Sequence, residues 1–424
     1  MALKDHRAMM ERCSSCASCK FIPFDKIQSL RFGENCPSIG YYNFMTYSAR
    51  GRYQLSQSIL DGRTEINETI AEAIHSCTSC GACDVACKVT RYNLEPLEHN
   101  IEQKAYAVEH GAVLPGQVPV IENLKKEQSM IPGTEKAARQ DWVKDLNLKD
   151  LFWEQGEVAF FPGCKYSYDE KLQKVAQSAV KLLQSAGVDL GYMGAADNCC
   201  AGRAHQMGYF NEFKARAHSN IKAFEKAGVK TIVTPCSDCY HSFKRQYAKL
   251  GFKVEVLHVV EYVDRLIAEG KITFTKSVPI TVTYHDPCHL GRLGEDYEAW
   301  EGKEKKIYNQ IQIWEPRRPR YNGAYGIYDA PRNILKAIPG VKLVEMERIR
   351  EYSWCCGAGS NCNESNPDFS AWTAGERITE ANATGADALV TACPWCEDNF
   401  ANAVDEDGNK IEVLDVIELV NQAL

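Results

Sequence analysis

Short apolar runs and amphipathic stretches alternate along the last two-thirds of the chain. Val158-Ala-Phe-Phe and Ile280-Thr-Val-Thr-Tyr are rich in β-formers, and Thr231-Ile-Val-Thr and Ala388-Leu-Val-Thr read as strands buried inside a parallel sheet. Leu172 to Leu183 repeats apolar residues at helical spacing, and Phe210 to Lys226 reads as another helix. Strand followed by helix is the order of α/β lobes with parallel sheets, whose ligands gather beyond the strand carboxyl ends. The first third differs: residues 47–75 have helical spacing and few strand formers, so a helical domain is expected there. Between the two regions, Pro115, Pro119, Pro132 and Gly133 break up a linker, near whose end Arg139-Gln-Asp-Trp142 opens a short helix. That helix either packs the linker onto a domain or belongs to a mobile connector.

The α/β region repeats itself. Gly228-Val-Lys-Thr-Ile-Val-Thr-Pro-Cys236-Ser-Asp-Cys239 matches Gly385-Ala-Asp-Ala-Leu-Val-Thr-Ala-Cys393-Pro-Trp-Cys396 at an offset of 157 residues. Residues 253–263 match 410–420 at the same offset, and the adjacent pairs Cys199-Cys200 and Cys355-Cys356 are offset by 156. One ancestral unit is used twice. The expected division is a helical domain over 1–105, a linker over 106–156, and α/β units over 157–275 and 276–424.

Composition narrows the class. A chain of 424 residues, 45% hydrophobic and 25% charged, is expected to be globular with two or three domains. A net charge of −7 gives no reason to expect nucleic-acid binding. The N-terminus lacks the apolar core of a signal peptide, and no apolar run approaches the ~20 residues that span a bilayer. The expectation is a cytoplasmic protein that meets a membrane only peripherally, through a partner. Nineteen cysteines, an odd count, argue in a reducing compartment for metal ligation or redox chemistry over a disulfide framework.

Spacing then separates the metals. Cys77, Cys80, Cys83 and Cys87 read C-x2-C-x2-C-x3-C, a loop that wraps one corner of a [4Fe–4S] cube and lends its fourth cysteine to a second cluster. A second set is present as Cys13, Cys16, Cys19 and, after 16 residues, Cys36-Pro37. One cubane cluster is therefore assigned to Cys13, Cys16, Cys19 and Cys87, the other to Cys36, Cys77, Cys80 and Cys83. The long spacer before Cys36 departs from the bacterial pattern, and a pair of zinc sites is the competing reading. The α/β units carry five thiols each: Cys164, Cys199, Cys200, Cys236 and Cys239 in the first, and Cys288, Cys355, Cys356, Cys393 and Cys396 in the second. Adjacent cysteines do not readily bridge each other, and five thiols are one too many for a cubane or a structural zinc. The adjacent pair is read as two ligands to two metals of one irregular cluster.

At these residues the chain resembles the CCG-domain (cysteine-rich domain) family, with heterodisulfide reductase as its best-known member. Its domain order looks like that reductase's D-type component, which is equivalent to the C-type and B-type components fused. The resemblance implies a helical ferredoxin-like domain with two cubane [4Fe–4S] clusters, followed by two Rossmann-like CCG lobes. Each lobe would bind a non-cubane [4Fe–4S] cluster, the two facing each other across a cavity where a disulfide is split. It also implies partners: a flavoprotein, a membrane cytochrome or other redox subunits, as in sulfate-reducer membrane complexes and class II benzoyl-coenzyme A reductase complexes. Two functions compete. One is an oxidoreductase subunit acting on a disulfide, thiol or thioester. The other is a pure electron-transfer subunit linking a flavoprotein or membrane quinone partner to another reductase.

Other residues leave alternatives open. His285 and His289 flank Cys288 and either donate a proton to a leaving thiolate or merely satisfy loop carbonyls; His205 faces the same choice. Cys362 matches no ligand of the first unit and is a buried thiol or a redox-active cavity residue. The second unit's first gap is 66 residues against 34, which places an insertion near 297–328. It carries Trp300, Trp314, Arg317, Arg318, Arg320, Tyr321, Tyr325 and Tyr328, suited to a protein interface, to an anionic cofactor tail, or to a plain surface loop. Neither a P-loop nor a convincing dinucleotide-binding glycine motif is present, so any flavin or nicotinamide is expected on a partner.

Overall fold

The β-rich runs of the first unit become a parallel sheet. Its strands are β1 (Lys149–Asp150), β2 (Val158–Phe160), β3 (Gly191–Tyr192), β4 (Thr231–Thr234) and β5 (Glu255–His258), in the order β1-β3-β2-β4-β5. The second unit opens with β6 (Ile280–Tyr284), is interrupted by an antiparallel hairpin of β7 (Lys303–Ile307) and β8 (Ile311–Glu315), and continues with β9 (Val341–Leu343), β10 (Ala388–Thr391) and β11 (Glu412–Asp415). Its sheet is parallel, in the order β11-β10-β6-β9. The arrangements β3-β2-β4-β5 and β9-β6-β10-β11 are the same, so the sequence repeat is also a repeat of topology. The computed structural model describes every residue except Met1, Arg91, Tyr92, Tyr297, Ala299, Asn309, Gln310 and 408–410. Tyr297 of the insertion and Lys410 of the repeat therefore lie outside the described residues.

Burial explains why these elements form. The central strands β4 and β10 hold Ile232, Val233, Leu389 and Val390 at 0% exposure, as expected of strands covered on both faces. Helix Glu170–Ser185 buries Leu172, Val175, Ala176, Ala179, Val180 and Leu183, a single stripe at helical spacing, and Asp169 caps its start. The helices after β5 and β11 start alike. The side chains of His258 and Asp415, equivalent by the repeat, cap Val259–Ala268 and Val416–Ala423, each in a capping box with Glu261 or Glu418.

The N-terminal third is helical, with Ala49–Leu60, Glu68–His75 and Pro96–Glu109 as its main helices. The stretch 106–156 read as a linker is divided between its neighbours. Helix Pro96–Glu109 runs across the expected boundary, and Ala112 and Gln117 pack on His75 of the helical domain. The later part is built into the first lobe. β1 pairs with β3, and the turn of helix Lys136–Val143 buries Trp142 and Arg139 against that lobe. The insertion also packs inward. Arg318 pairs with Glu95 at 3.3 Å, Arg320 reaches the Lys88 carbonyl at 3.4 Å, and Tyr321 lies under the Arg245 guanidinium at 4.5 Å. Its hairpin projects, with Tyr308 88% and Ile311 57% exposed. Among the described residues, no helix is long and apolar enough to cross a membrane.

Candidate functional site

Many of the cysteines sit on loops, and Cys83, Cys87, Cys164, Cys239 and Cys396 sit in helices next to those loops. Ser15, Ala17, Ser79 and Gly81 adopt positive φ within the two N-terminal cysteine loops, and Ala201 and Gly357 do so just after the adjacent pairs. Such conformations are disfavoured for residues other than glycine and persist where surrounding contacts impose them. In the α/β units, β4 and β10 deliver Cys236-x2-Cys239 and Cys393-x2-Cys396 just past their carboxyl ends.

Four of the N-terminal thiols, Cys36, Cys77, Cys80 and Cys83, line one cavity beside Arg52 and Asn100. Cys87 instead packs with Cys13 around Tyr53 and Leu94, within the electrostatic reach of Cys19. Of all the cysteines only Cys16 is exposed. Burial pushes the Cys36 and Cys19 thiols up to about 11.

From Cys80 onward the thiols form one continuous line. Cys80 touches Cys355, which also touches Cys288 and Cys356. Cys356 meets Cys396, Cys396 meets Cys393, and Cys393 meets Cys236 of the first lobe. Cys236 meets Cys239, whose Sγ lies 3.4 Å from Cys200, and Cys199 and Cys164 complete the run. Hydrogen bonds from Cys355 and Cys396 draw Cys356 down to about 5, and its counterpart Cys200 is lowered in the same way by Cys199 and Cys239. The second cysteine of each pair is thus an acceptor within its set. Cys393 is another: burial works to raise it, but hydrogen bonds from Cys236 and Cys396 lower it. Among the described residues, no three His, Cys, Asp or Glu side chains converge as ligands of a single metal ion.

The two sets meet at a seam. A cavity of about 10 Å³ there is lined by Asp238, Cys288, His289, Cys356, Cys393, Trp395 and Cys396, among others. That is room for one water at most. His289 is 3% exposed, with Nδ1 against the Asp238 carboxylate and Nε2 without a partner. Burial works to lower its pKa, but Asp238 outweighs it and the net shift is upward. The Arg203 guanidinium lies 3.7 Å from the Trp395 ring centroid, behind the seam. His285 does not line this cavity. Its Nδ1 accepts from Arg377 Nε at 3.2 Å, its ring packs on Phe400, and burial and Arg377 hold it neutral. His205 packs on Phe210 and Phe213 away from the seam, lowered by burial to about 3. Cys362 is fully buried near Lys104 and Cys77, and burial raises it to about 12. No described residue of the insertion lines the seam cavity.

Sequence reasoning missed Asp238; the repeat shows only that both inner residues of the motif differ, Ser-Asp in Cys236-Ser-Asp-Cys239 against Pro-Trp in Cys393-Pro-Trp-Cys396. It also missed a set of buried cations. Arg52, Lys104 and Arg292 are at most 3% exposed and donate to backbone carbonyls or hydroxyls, with no carboxylate among the described residues paired to them. They sit in the field of Cys36, of Cys77 and Cys80, and of Cys80, Cys288 and Cys355 respectively. A buried cation without a counter-charge is costly. Thiolate-ligated iron–sulfur clusters are anionic, and such a charge at these thiols would balance the cations, so the residues present fit that kind of group.

The class is now defined. A 4Fe-4S dicluster domain matches residues 9–90, and the cysteine-rich domain (CCG) matches twice, over 158–244 and 318–401. The second match begins within the insertion and leaves Cys288 outside it. The D-type component of the dihydromethanophenazine:CoB–CoM heterodisulfide reductase of Methanosarcina mazei is 31% identical over 376 residues, covering 86% of this chain and 82% of that one. The EtfAB:quinone oxidoreductase of Syntrophomonas wolfei is 28% identical over 370 residues, covering 84% of this chain and 47% of that one, so the chain spans about half of that relative. The chain belongs to the family of iron–sulfur oxidoreductases and electron-transfer subunits that join a 4Fe-4S dicluster domain to two cysteine-rich domains.

Proposed function

We propose that the chain is the subunit of a larger redox complex that receives electrons at its N-terminal domain and reduces, or in reverse oxidises, a disulfide or thiol at the seam between its two lobes. The single observation that carries this reading is the unbroken line of thiols from Cys80 through Cys355 and Cys393 to Cys236, which joins the N-terminal domain to both five-cysteine sets. Cubane clusters held by Cys13, Cys16, Cys19 and Cys87 and by Cys36, Cys77, Cys80 and Cys83, and non-cubane [4Fe–4S] clusters in the lobes, would supply one-electron oxidation and reduction. The overall reaction consumes two electrons and two protons for each disulfide and yields two thiols. The electrons come from a partner redox protein. Asp238 orients the His289 ring through Nδ1, and Nε2 is the ring nitrogen left without a partner, so a histidine at the edge of the seam is available to deliver a proton to a leaving sulfur. The name of the methanogen relative, a heterodisulfide reductase, agrees with this chemistry.

A second reading, electron transfer without a substrate of its own, draws on the closed seam, which at about 10 Å³ admits no disulfide as it stands, and on a relative named for a quinone. The two separate in one experiment. Anaerobically prepared protein is mixed with reduced viologen and small disulfides, without partner proteins, and thiol release is followed. Thiol release that falls in His289→Gln supports the first reading. Viologen-reducible protein that releases no thiol from any disulfide supports the second.

A further inference from the structure

Lys104 lies where all three parts of the chain meet. It sits on helix Pro96–Glu109, is 0% exposed, and places Nζ 2.5 Å from the Cys77 carbonyl, 3.0 Å from Ser79 Oγ and 2.7 Å from Ser360 Oγ of the second lobe. The Cys77 carbonyl can only accept. Ser360 Oγ gives its own proton to the Gln206 carbonyl of the first lobe at 3.0 Å, so toward Lys104 it accepts as well. Three acceptors around one nitrogen match the three protons of an ammonium, and no carboxylate among the described residues pairs with it. The backbones close in at the same place. A Cβ on Gly208 of the first lobe would stand 2.4 Å from Ala105 N, and one on Gly359 of the second lobe 2.2 Å from Thr78 O. Ser360 and Asn361 hold positive φ of 55° and 64°, a turn that the contacts with Lys104 and Gln206 pin in place.

We propose that Lys104 is a positioning residue for electron transfer: its buried charge raises the reduction potential of the cluster held by Cys36, Cys77, Cys80 and Cys83, and its hydrogen bond fixes the second lobe against that cluster. The inference rests on the reading that these four thiols hold a cluster. A positive charge in a poorly solvated site favours the more negative, reduced state of a neighbouring centre, and little water is present to screen it. A cluster held by these thiols would be easier to reduce, and the same residue ties the Cys77–Ser79 loop to Ser360 of the second lobe, beside the Cys80–Cys355 contact.

The test is an electron paramagnetic resonance redox titration of the full chain, anaerobic, with iron content measured on the same samples. The relevant signal is the one altered by Cys36→Ser. In Lys104→Gln that signal should titrate at lower potential while the others stay in place. Lys104→Arg keeps the charge and should stay near the unmodified protein. Ser360→Ala keeps the charge too, so the potential should hold while amide hydrogen exchange around 353–362 quickens. An unmoved potential in a Lys104→Gln protein of normal iron content overturns the inference, and so does an equal shift of every signal. If Lys104→Gln loses the cluster, Lys104→Arg decides: a lowered potential there counts against the charge. If the unmodified protein shows no signal that responds to Cys36→Ser, the underlying ligand reading fails instead.

Discussion

A single methyl group at Gly359 should disconnect the N-terminal domain from the second lobe without touching a cysteine. The built Cβ falls 2.2 Å from the Thr78 carbonyl oxygen, about 1.2 Å short of the 3.4 Å at which ordinary contact begins, and its next neighbour is also Thr78 backbone. Backbone cannot swing aside as a flexible side chain does, so Gly359→Ala must push the two segments apart at a cost of about 1–3 kcal/mol, the usual range for overpacking. Thr78 also carries the hydroxyl 3.4 Å from Cys355 Sγ, so the same displacement opens the Cys80–Cys355 contact. Gly385→Ala is the control. That glycine has φ +71° and nothing within 4 Å, so alanine there pays about 1–2 kcal/mol of left-handed strain and moves no domain. Two measurements follow: amide exchange at 77–80 and 353–360, and stopped-flow reduction of the lobes through the N-terminal domain. Gly359→Ala should quicken the first and slow the second at unchanged iron content, and Gly385→Ala should do neither. Equal behaviour of the two variants would refute the idea that this approach of backbones sets the electron junction.

Iron and sulfide in anaerobic preparations should approach ~16 of each per chain, four clusters of four by ligand count; a value near half of that would leave the lobes without clusters. Cys356→Ser should remove a lobe signal and spare both N-terminal ones, and selective loss of an N-terminal signal would break the ligand partition. Burial holds His258 at about 4 and His99 and His205 at about 3, below the ~6.5 of an exposed histidine. At pH 5 the unfolded chain therefore binds more protons than the folded one. The stability these groups contribute is complete above ~6.5 and is lost as pH falls toward their folded values, at roughly 1.4 kcal/mol per pH unit for each histidine. His258→Asn, which can still cap its helix, should flatten this acid loss in denaturation curves recorded from pH 7 to 5.5, and an unchanged slope would count against it. Deleting 303–315, whose tip exposes Tyr308 and Ile311, should weaken assembly with partner subunits at constant iron content, and normal assembly on a sizing column would mark the hairpin as a tolerated loop.

Much of this molecule is written in local patterns. C-x2-C spacing sets thiols within reach of each other along a single loop, short β-branched runs announce β2, β4, β6 and β10, and the 157-residue offset reveals the doubled lobe. Each of these depends on residues close in the chain, so periodicity and spacing suffice to read them. The two-residue strands β1 and β3 were not legible, because Lys149–Asp150 and Gly191–Tyr192 are too short to show alternation and exist only by pairing with a neighbour. Nor could spacing tell that Cys80 abuts Cys355 and that Cys393 abuts Cys236, because those pairs are brought together by the packing of whole domains. The buried cations follow the same logic. Lys104, Arg52 and Arg292 look in sequence like ordinary solvated residues. Only the tertiary structure, by removing their water and surrounding them with thiols and neutral oxygens, shows them to be charges in need of an anion.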